Sequence, residues 1–307
     1  MSILLSGRWE AAERDQWLAL LRAALPEESW VLEPGPEVEA AVVANPPPGA
    51  LQGLPRLGFI QSLWAGVEKL LADDTLPAGV PIARMVDPAM NEAMPQTALW
   101  AVLGLHRGFF EIQAQQRRAE WRQLAQPRAG EWRVLVLGLG ELGGRVAQLL
   151  AAQGYAVSGY SRRPAELPGV RCLHGEAALA AALGEADTVI NLMPLTEATR
   201  GFFDAARLAQ FKRGAGFINL ARGAHVVEAD LLAALDAGRI GRAVLDVFQV
   251  EPLPAAHPFW SHERVTVLPH TAAQTDARSA AALVAANLRA WRAGREPAHR
   301  VERDRGY

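Results

Sequence analysis

Apolar residues along this chain come in two rhythms, short continuous runs and longer stretches at helical spacing, and the two alternate. Residues 3–5 read as a strand. Trp17, Leu21 and Leu25 share one face of a helix over 10–25, which Pro26 ends. Short runs at 30–32, 40–43, 57–61 and 80–86 predict further strands, and the Pro46-Pro-Pro-Gly49 stretch is a turn that no strand continues through. A broad apolar face through Leu99, Val102, Leu103, Leu105 and Phe109 predicts one long helix over 91–121, stopped by Pro127-Arg-Ala-Gly130. A second series then opens. Its strands are expected at 133–137, 156–160, 188–192, 216–220, 243–247 and 265–268, with helices between and a last helix over 275–293. Strands separated by helical segments indicate βαβ units and a mostly parallel sheet.

This pattern predicts an α/β protein of two doubly wound parallel-sheet domains of flavodoxin or Rossmann type. The expected division is 1–97 plus 275–307 for a discontinuous first domain, and 98–274 for the second. A length of 307 residues suits two domains of ordinary size, and the apolar half of the composition supplies a core for each. No internal repeat or low-complexity linker interrupts the series.

Charge narrows the partners. The net charge is -2 and no long basic run occurs, so neither nucleic acid nor an anionic membrane is an expected partner. No stretch approaches the ~20 apolar residues that span a bilayer. The alanine-rich stretch 177–183 lies between Glu176 and Glu185 and reads as a surface helix. No signal-peptide pattern opens the chain, and Cys172 is the sole cysteine, which excludes an internal disulfide and fits a reducing cytoplasm. The Val170-Arg-Cys-Leu173 stretch reads as a short buried strand, a poor setting for a nucleophile. His106, His174, His225, His257, His262 and His299 form no metal-ligand spacing, so no metal is expected and these six read as structural or exposed.

The first chemical signal is Val134-Leu-Val-Leu-Gly-Leu-Gly-Glu-Leu-Gly143, a strand running into Gly138, Gly140 and Gly143. The first glycine permits a tight turn, the second a close approach of pyrophosphate, and the third close packing of helix on strand. The helix that follows offers free amides and the positive end of its dipole to phosphates. A bare glycine triplet can also be a tight turn without ligand. Here the strand before, the helix after and the next strand favour a dinucleotide, held by Gly138, Leu139, Gly140, Glu141, Leu142 and Gly143. At the end of the second strand stands Ser161-Arg162-Arg163, with no carboxylate to repel a 2′-phosphate and two guanidiniums to pair with one. NADPH is therefore the expected cofactor, with NADH usable.

Three phrases follow: Asn219-Leu-Ala-Arg-Gly223, Leu245-Asp-Val-Phe-Gln-Val-Glu-Pro-Leu-Pro254 and Pro269-His-Thr-Ala-Ala-Gln-Thr275. They contain a cation, an acid and a base in Arg222, Glu251 and His270, a set able to bind an anionic 2-oxo acid and move a proton at its carbonyl. Singly, each has an ordinary reading as a strand cap, a turn residue or a surface histidine. Together they fall at the carboxyl ends of predicted strands, where ligand sites of α/β folds gather.

With the glycine turn, these phrases resemble the D-isomer-specific 2-hydroxyacid dehydrogenase family. Ala65-Gly-Val67, Leu220-Ala-Arg-Gly-Ala-His-Val-Val-Glu228, Glu251-Pro-Leu-Pro254 and Asp304-Arg-Gly-Tyr307 resemble its glyoxylate/hydroxypyruvate reductase A branch. The resemblance covers nearly the whole chain and is most specific from 138 to 275. It implies two α/β domains with a cleft between them that closes to exclude water, reduction of glyoxylate and hydroxypyruvate, and a homodimer, for which helix 91–121 is a candidate face. It implies that Arg222 pairs with the substrate carboxylate and polarises the 2-oxo group, that His270 donates the proton, and that Glu251 holds the imidazole and favours its charged form. Asp246 is implied either near the nicotinamide or in support of the active-site loops, and Met193, Pro194, Thr199, Ala221 and His270 on the cofactor side. Ala65 and Gly66 are implied to offer amides to the carboxylate. Trp64 either narrows the pocket to small acids or is a core or interface tryptophan. Two other readings stay open: a broader D-2-hydroxyacid dehydrogenase for larger oxo acids, and a dinucleotide-sensing interaction protein on the same fold.

Overall fold

The computed structural model describes residues 1–303. The Asp304-Arg-Gly-Tyr307 stretch lies outside the described residues. In chain order the first elements are β1 (Ser2–Gly7), α1 (Ala11–Ala24), β2 (Ser29–Val31), β3 (Val38–Ala44), β4 (Phe59–Ser62), α2 (Glu68–Leu71) and β5 (Ile82–Ala83). Then come α3 (Pro88–His106), α4 (Phe109–Arg117), β6 (Arg133–Leu137), α5 (Glu141–Ala152), β7 (Ala156–Tyr160), β8 (Arg171–Leu173), α6 (Glu176–Glu185) and β9 (Thr188–Asn191). The last are α7 (Ala205–Ala209), β10 (Ala215–Asn219), α8 (Glu228–Asp236), β11 (Ile240–Leu245), β12 (Val265–Val267) and α9 (Ala277–Arg292).

The chain forms two compact units, one of Met1–Met90 with the segment from Thr275 onward, the other of Asn91–Gln274. In the first, five parallel strands lie in the order β2-β1-β3-β4-β5. Alternate residues of β1 serve opposite faces, as a strand's period of two requires. Ile3 and Leu5 pack with Trp17 and Leu21 of α1 and Val284 and Leu288 of α9. Leu4 turns to the other face, with Val43, Ile60 and Leu70. Strands covered on both faces read as unbroken apolar runs, which is why β3 shows no polar alternation. The expected strand over 80–86 is only Ile82–Ala83 long, and past it the chain's last segment attaches: Val301 N–H donates to the Ile82 carbonyl at 2.8 Å.

The second unit holds seven parallel strands in the order β12-β11-β10-β9-β6-β7-β8. From β6 the chain builds outward through β7 to β8, then returns to set β9 on the other side of β6 and continues outward to β12. Strand order thus reverses between β6 and β9, and in open α/β sheets ligands bind beyond the carboxyl ends of the strands at such a point.

Two expectations about local structure need correction. The helix predicted over 91–121 is two helices, because Arg107-Gly108 breaks it with Gly108 at φ +67°, a left-handed conformation that ends a helix at little cost for glycine. Its apolar face also gives out: beyond Phe110 the sequence is rich in Gln and Arg, and Trp121 is 97% exposed. Cys172 lies on β8, which is an edge strand paired on one side only, so the strand is half-buried and not the buried strand expected.

Candidate active site

The glycine turn after β6 satisfies three separate demands. Gly138 has φ +94°, and a Cβ there would stand 2.6 Å from the Leu192 carbonyl oxygen, so the turn presses against the loop after β9. A Cβ on Gly143 would stand 1.7 Å from the Gly138 carbonyl oxygen, so α5 rests on the turn itself. Gly140 is different: no atom lies within 4 Å of a Cβ built there, leaving its backbone open to a ligand at the start of α5. Free amides at a helix start beside open space suit a pyrophosphate, so the residues present fit a dinucleotide. The side chains of Leu139 and Leu142 pack into the unit's core, and Glu141 accepts from Asn91 Nδ2 at 3.1 Å and Arg145 Nη2 at 2.8 Å. What these three residues can offer a phosphate is therefore backbone.

At the end of neighbouring β7, Ser161 N–H donates to the Leu173 carbonyl at 3.1 Å, and its hydroxyl donates to the Arg163 carbonyl at 2.6 Å. That closes a small turn on which Arg162 and Arg163 are exposed. Met193, after β9, is buried. The Thr199 hydroxyl donates back to the Pro194 carbonyl at 2.8 Å and accepts the Thr196 N–H at 2.8 Å, so it shapes this loop from within.

Glu251, His270 and Asp246 gather on the adjoining strand ends. Glu251 Oε2 accepts from His270 Nδ1 at 2.8 Å, while Oε1 accepts the Phe248 N–H at 2.9 Å. With Nδ1 committed to a carboxylate, Nε2 is the nitrogen left to exchange a proton with a substrate. His270 is half exposed and sits at φ +53°, an uncommon conformation for a residue with a Cβ. Asp246 stabilises that turn. Its carbonyl accepts the His270 N–H at 2.9 Å, and its carboxyl accepts the amides of Thr271 at 2.7 Å and Ala272 at 3.1 Å. Burial pushes the Asp246 carboxyl above the ordinary range; the Thr271 and Ala272 amides and His270 pull it back, and Glu251 adds to the push.

Arg222 follows β10, the strand paired with β11 in a register that sets Asn219 beside Leu245. Its Nη1 donates to the Ala221 carbonyl at 2.6 Å, and Ala221 is buried. Trp64, Ala65 and Gly66 belong to the first unit, just past β4, where the Trp64 N–H donates to Ser62 Oγ at 3.0 Å and the indole packs against that unit's core.

Two supports, His225 and Glu228, escaped the sequence reading. His225 is fully buried and bonded to Asn191, which in turn bonds Asn219. Glu228 accepts the Gln249 N–H at 3.0 Å and faces His257 Nε2 at 3.4 Å, tethering the loop that carries Glu251. A histidine two residues past an arginine-glycine pair was the available signal for His225.

A model of the D-isomer specific 2-hydroxyacid dehydrogenase NAD binding domain matches residues 99–272, which span the glycine turn, Arg222, Glu251 and His270. The chain belongs to the D-isomer specific 2-hydroxyacid dehydrogenase family. It is 42% identical to glyoxylate/hydroxypyruvate reductase A of Serratia proteamaculans, over 95% of this chain and 96% of that protein. The like-named protein of Yersinia enterocolitica is 39% identical, over 96% of this chain and 97% of its own. Among solved structures, a D-isomer specific 2-hydroxyacid dehydrogenase from Xanthobacter autotrophicus in complex with NADPH and MES superposes with a TM-score of 0.94 at 40% identity, covering 100% of this chain and 99% of that one. An NADPH-dependent glyoxylate/hydroxypyruvate reductase from Sinorhizobium meliloti in complex with NADP and sulfate gives 0.93 at 33%, covering 100% and 99%. This dehydrogenase is thus an NAD(P)-dependent oxidoreductase built on two parallel-sheet α/β units. Among the described residues no helix is long and apolar enough to cross a membrane, and no group of three His, Cys, Asp or Glu side chains could hold a metal ion.

Proposed function

We propose that this chain is an NADPH-dependent reductase of small 2-oxo acids, taking glyoxylate to glycolate and hydroxypyruvate to D-glycerate. The observation that carries the reading is the 2.8 Å contact between Glu251 and His270, one strand end away from Arg222 in the sheet whose glycine turn suits a dinucleotide. The nicotinamide, when bound, supplies hydride for C2. Arg222, permanently charged and forked, pairs with the substrate carboxylate and polarises the carbonyl. His270 hands its Nε2 proton to the carbonyl oxygen as negative charge develops there, and Glu251 stabilises the imidazolium before transfer. Asp246 keeps the His270 turn in place. The amides of Ala65 and Gly66 are further carboxylate donors, and Trp64 restricts the acid's size; both assignments rest on the family resemblance of 63–67.

Preference for NADPH over NADH is supported by the exposed Arg162 and Arg163 at the end of β7 and by the cofactors held in the two related structures. The protein is further proposed to act in the cytoplasm as a homodimer, for which the exposed Trp100, Phe109 and Ile112 of α3 and α4 supply apolar surface. Light scattering with size-exclusion chromatography reads the assembly directly.

The deciding experiment follows loss of the reduced-nicotinamide absorbance with glyoxylate, hydroxypyruvate, pyruvate and a bulky 2-oxo acid, using NADPH and NADH in turn. Turnover should be best with the two small acids and NADPH. Turnover with none of them would refute the enzyme reading; best turnover with the bulky acid would favour the broader dehydrogenase.

A further inference from the structure

Beneath the loops that follow β9 and β10 lies a polar cluster that the proton and hydride chemistry does not use. Asn191, Asn219 and His225 are all fully buried. Asn191 Nδ2 donates to Asn219 Oδ1 at 2.9 Å and approaches His225 Nδ1 at 3.0 Å. An amide nitrogen can only donate, so His225 Nδ1 accepts and the ring proton sits on Nε2. That nitrogen is 3.3 Å from the Pro194 carbonyl oxygen, which accepts from it.

The other atoms of the cluster also end on loop backbone. Asn191 Oδ1 accepts the Met193 N–H at 3.2 Å. Asn219 Oδ1 accepts the Ala221 N–H at 3.2 Å, and its Nδ2 donates to the Arg222 carbonyl at 3.0 Å. Three side chains thus tie Met193 and Pro194 on one loop to Ala221 and Arg222 on the next. Burying such groups costs stability unless each is bonded, whereas apolar residues of similar size would fill the space without that demand. Fully bonded buried networks define one geometry, and here the geometry they define is that of two ligand-facing loops.

We propose that His225 is a positioning residue: through Asn191 and Asn219 it holds the Arg222 loop and the Met193–Pro194 loop in one arrangement, so that substrate carboxylate and cofactor are received in register. The Arg222 half of this rests on the reading of Arg222 as the carboxylate partner. The Pro194 half does not.

The test uses the full-length enzyme, hydroxypyruvate as substrate, and NADPH affinity read by quenching of tryptophan fluorescence. His225→Ala removes both bonds. His225→Asn keeps an acceptor near the place of Nδ1 for Asn191 but is too short to reach Pro194. Expected for His225→Ala is a fall in kcat/KM of roughly 10- to 100-fold, the scale of a small misplacement of a binding group, carried mainly by KM. His225→Asn should weaken NADPH binding while changing the hydroxypyruvate KM by no more than about threefold, because the link to Arg222 survives.

In an Arg222→Ala background, with NADPH saturating, His225→Ala should cause little further loss in kcat/KM for hydroxypyruvate, since partners in one network are not additive. The same fractional loss in both backgrounds would overturn the route through Arg222. So would lowered thermal stability with both kinetic constants and NADPH affinity unchanged, the signature of a purely structural histidine. Should His225→Ala fail to fold, His225→Asn decides: unchanged NADPH affinity overturns the Pro194 bond, and a hydroxypyruvate KM raised more than tenfold overturns the division of labour. If Arg222→Ala alone leaves KM and kcat intact, the carboxylate assignment fails together with the Arg222 half. NADPH affinity in His225→Asn still judges the other half.

Discussion

Replacing Asp246 by alanine should be among the costliest single changes to this protein, and the cost should depend on pH in a defined direction. Asp246 is 2% exposed, and its carboxyl accepts two buried or part-buried backbone amides, those of Thr271 and Ala272. Each amide left without an acceptor costs about 1–3 kcal/mol, so Asp246→Ala should lose about 2–6 kcal/mol at neutral pH. Burial holds the folded-state pKa above its unfolded value. The folded protein therefore binds more protons than the unfolded chain between those two values, and Asp246 adds stability that is fully present below the unfolded pKa and is lost as pH rises through the folded one. The difference between wild type and Asp246→Ala should be largest at acid pH and shrink as pH rises. Urea unfolding at a series of pH values, with an unchanged denaturant slope, measures it. A difference that grew with pH would mean that the two amides outweigh burial, and would refute the argument. Activity adds a second readout. His270 occupies φ +53° in the turn that Asp246 holds, a conformation that costs about 1–3 kcal/mol and persists only under constraint. Once the turn relaxes, kcat should fall by about 10- to 100-fold even where the variant is folded.

Further substitutions separate the assigned roles. Arg222→Ala should raise the hydroxypyruvate KM and lower kcat together, whereas His270→Ala should lower kcat with KM little changed; equal small effects on both constants would contradict the assignment. Arg162→Ala combined with Arg163→Ala should raise the NADPH KM and leave the NADH KM nearly unchanged, because only NADPH carries the 2′-phosphate. An unaltered NADPH KM would remove these arginines from the site. Gly223→Ala would bring a Cβ to 1.9 Å from the Phe248 carbonyl carbon, so the Arg222 loop or the Glu251 loop must shift. A loss of at least about 1–3 kcal/mol in thermal unfolding, with falling kcat, is expected.

How far the sequence was legible depended on whether a feature was local. The central strands β6, β9 and β10 of the second unit were readable because each is a buried parallel strand, apolar on both faces, and the glycine turn because its three glycines answer to three nearby constraints. Arg222, Glu251 and His270 stood in distinct phrases, and the fold brings Glu251 and His270, nineteen positions apart, within 2.8 Å. The helix over 91–121 was misread because apolar spacing continues through Leu105 to Phe109, and only the left-handed Gly108 between them ends the helix. Glycine within a helical pattern is a weak signal on its own. His225 was assigned to the structural or exposed class because nothing near it in sequence explains it. Its partner Asn191 is 34 positions away and becomes a neighbour only once β9 and β10 pair.

That partnership belongs to a larger device. In a parallel sheet the backbone ladder stops where the strands end, and the loops beyond, which carry the chemistry, diverge. Here bonds past the ladder continue across the strand order. Pro194 and Met193, after β9, are tied to His225 and Asn191. Asn191 is tied to Asn219 at the end of β10, whose side chain holds Arg222. The Asn219 carbonyl accepts the Asp246 N–H at 3.0 Å at the end of β11, and Asp246 holds the turn of His270 after β12. Four successive strand ends are thus joined laterally by hydrogen bonds, several of them buried. On the proposed roles of Arg222 and His270, positioning a carboxylate partner and a proton donor to within a fraction of an ångström demands supports of this kind. They explain why Asn191, Asn219, His225 and Asp246, none of which needs to touch the substrate, occupy positions where packing alone would have favoured apolar side chains.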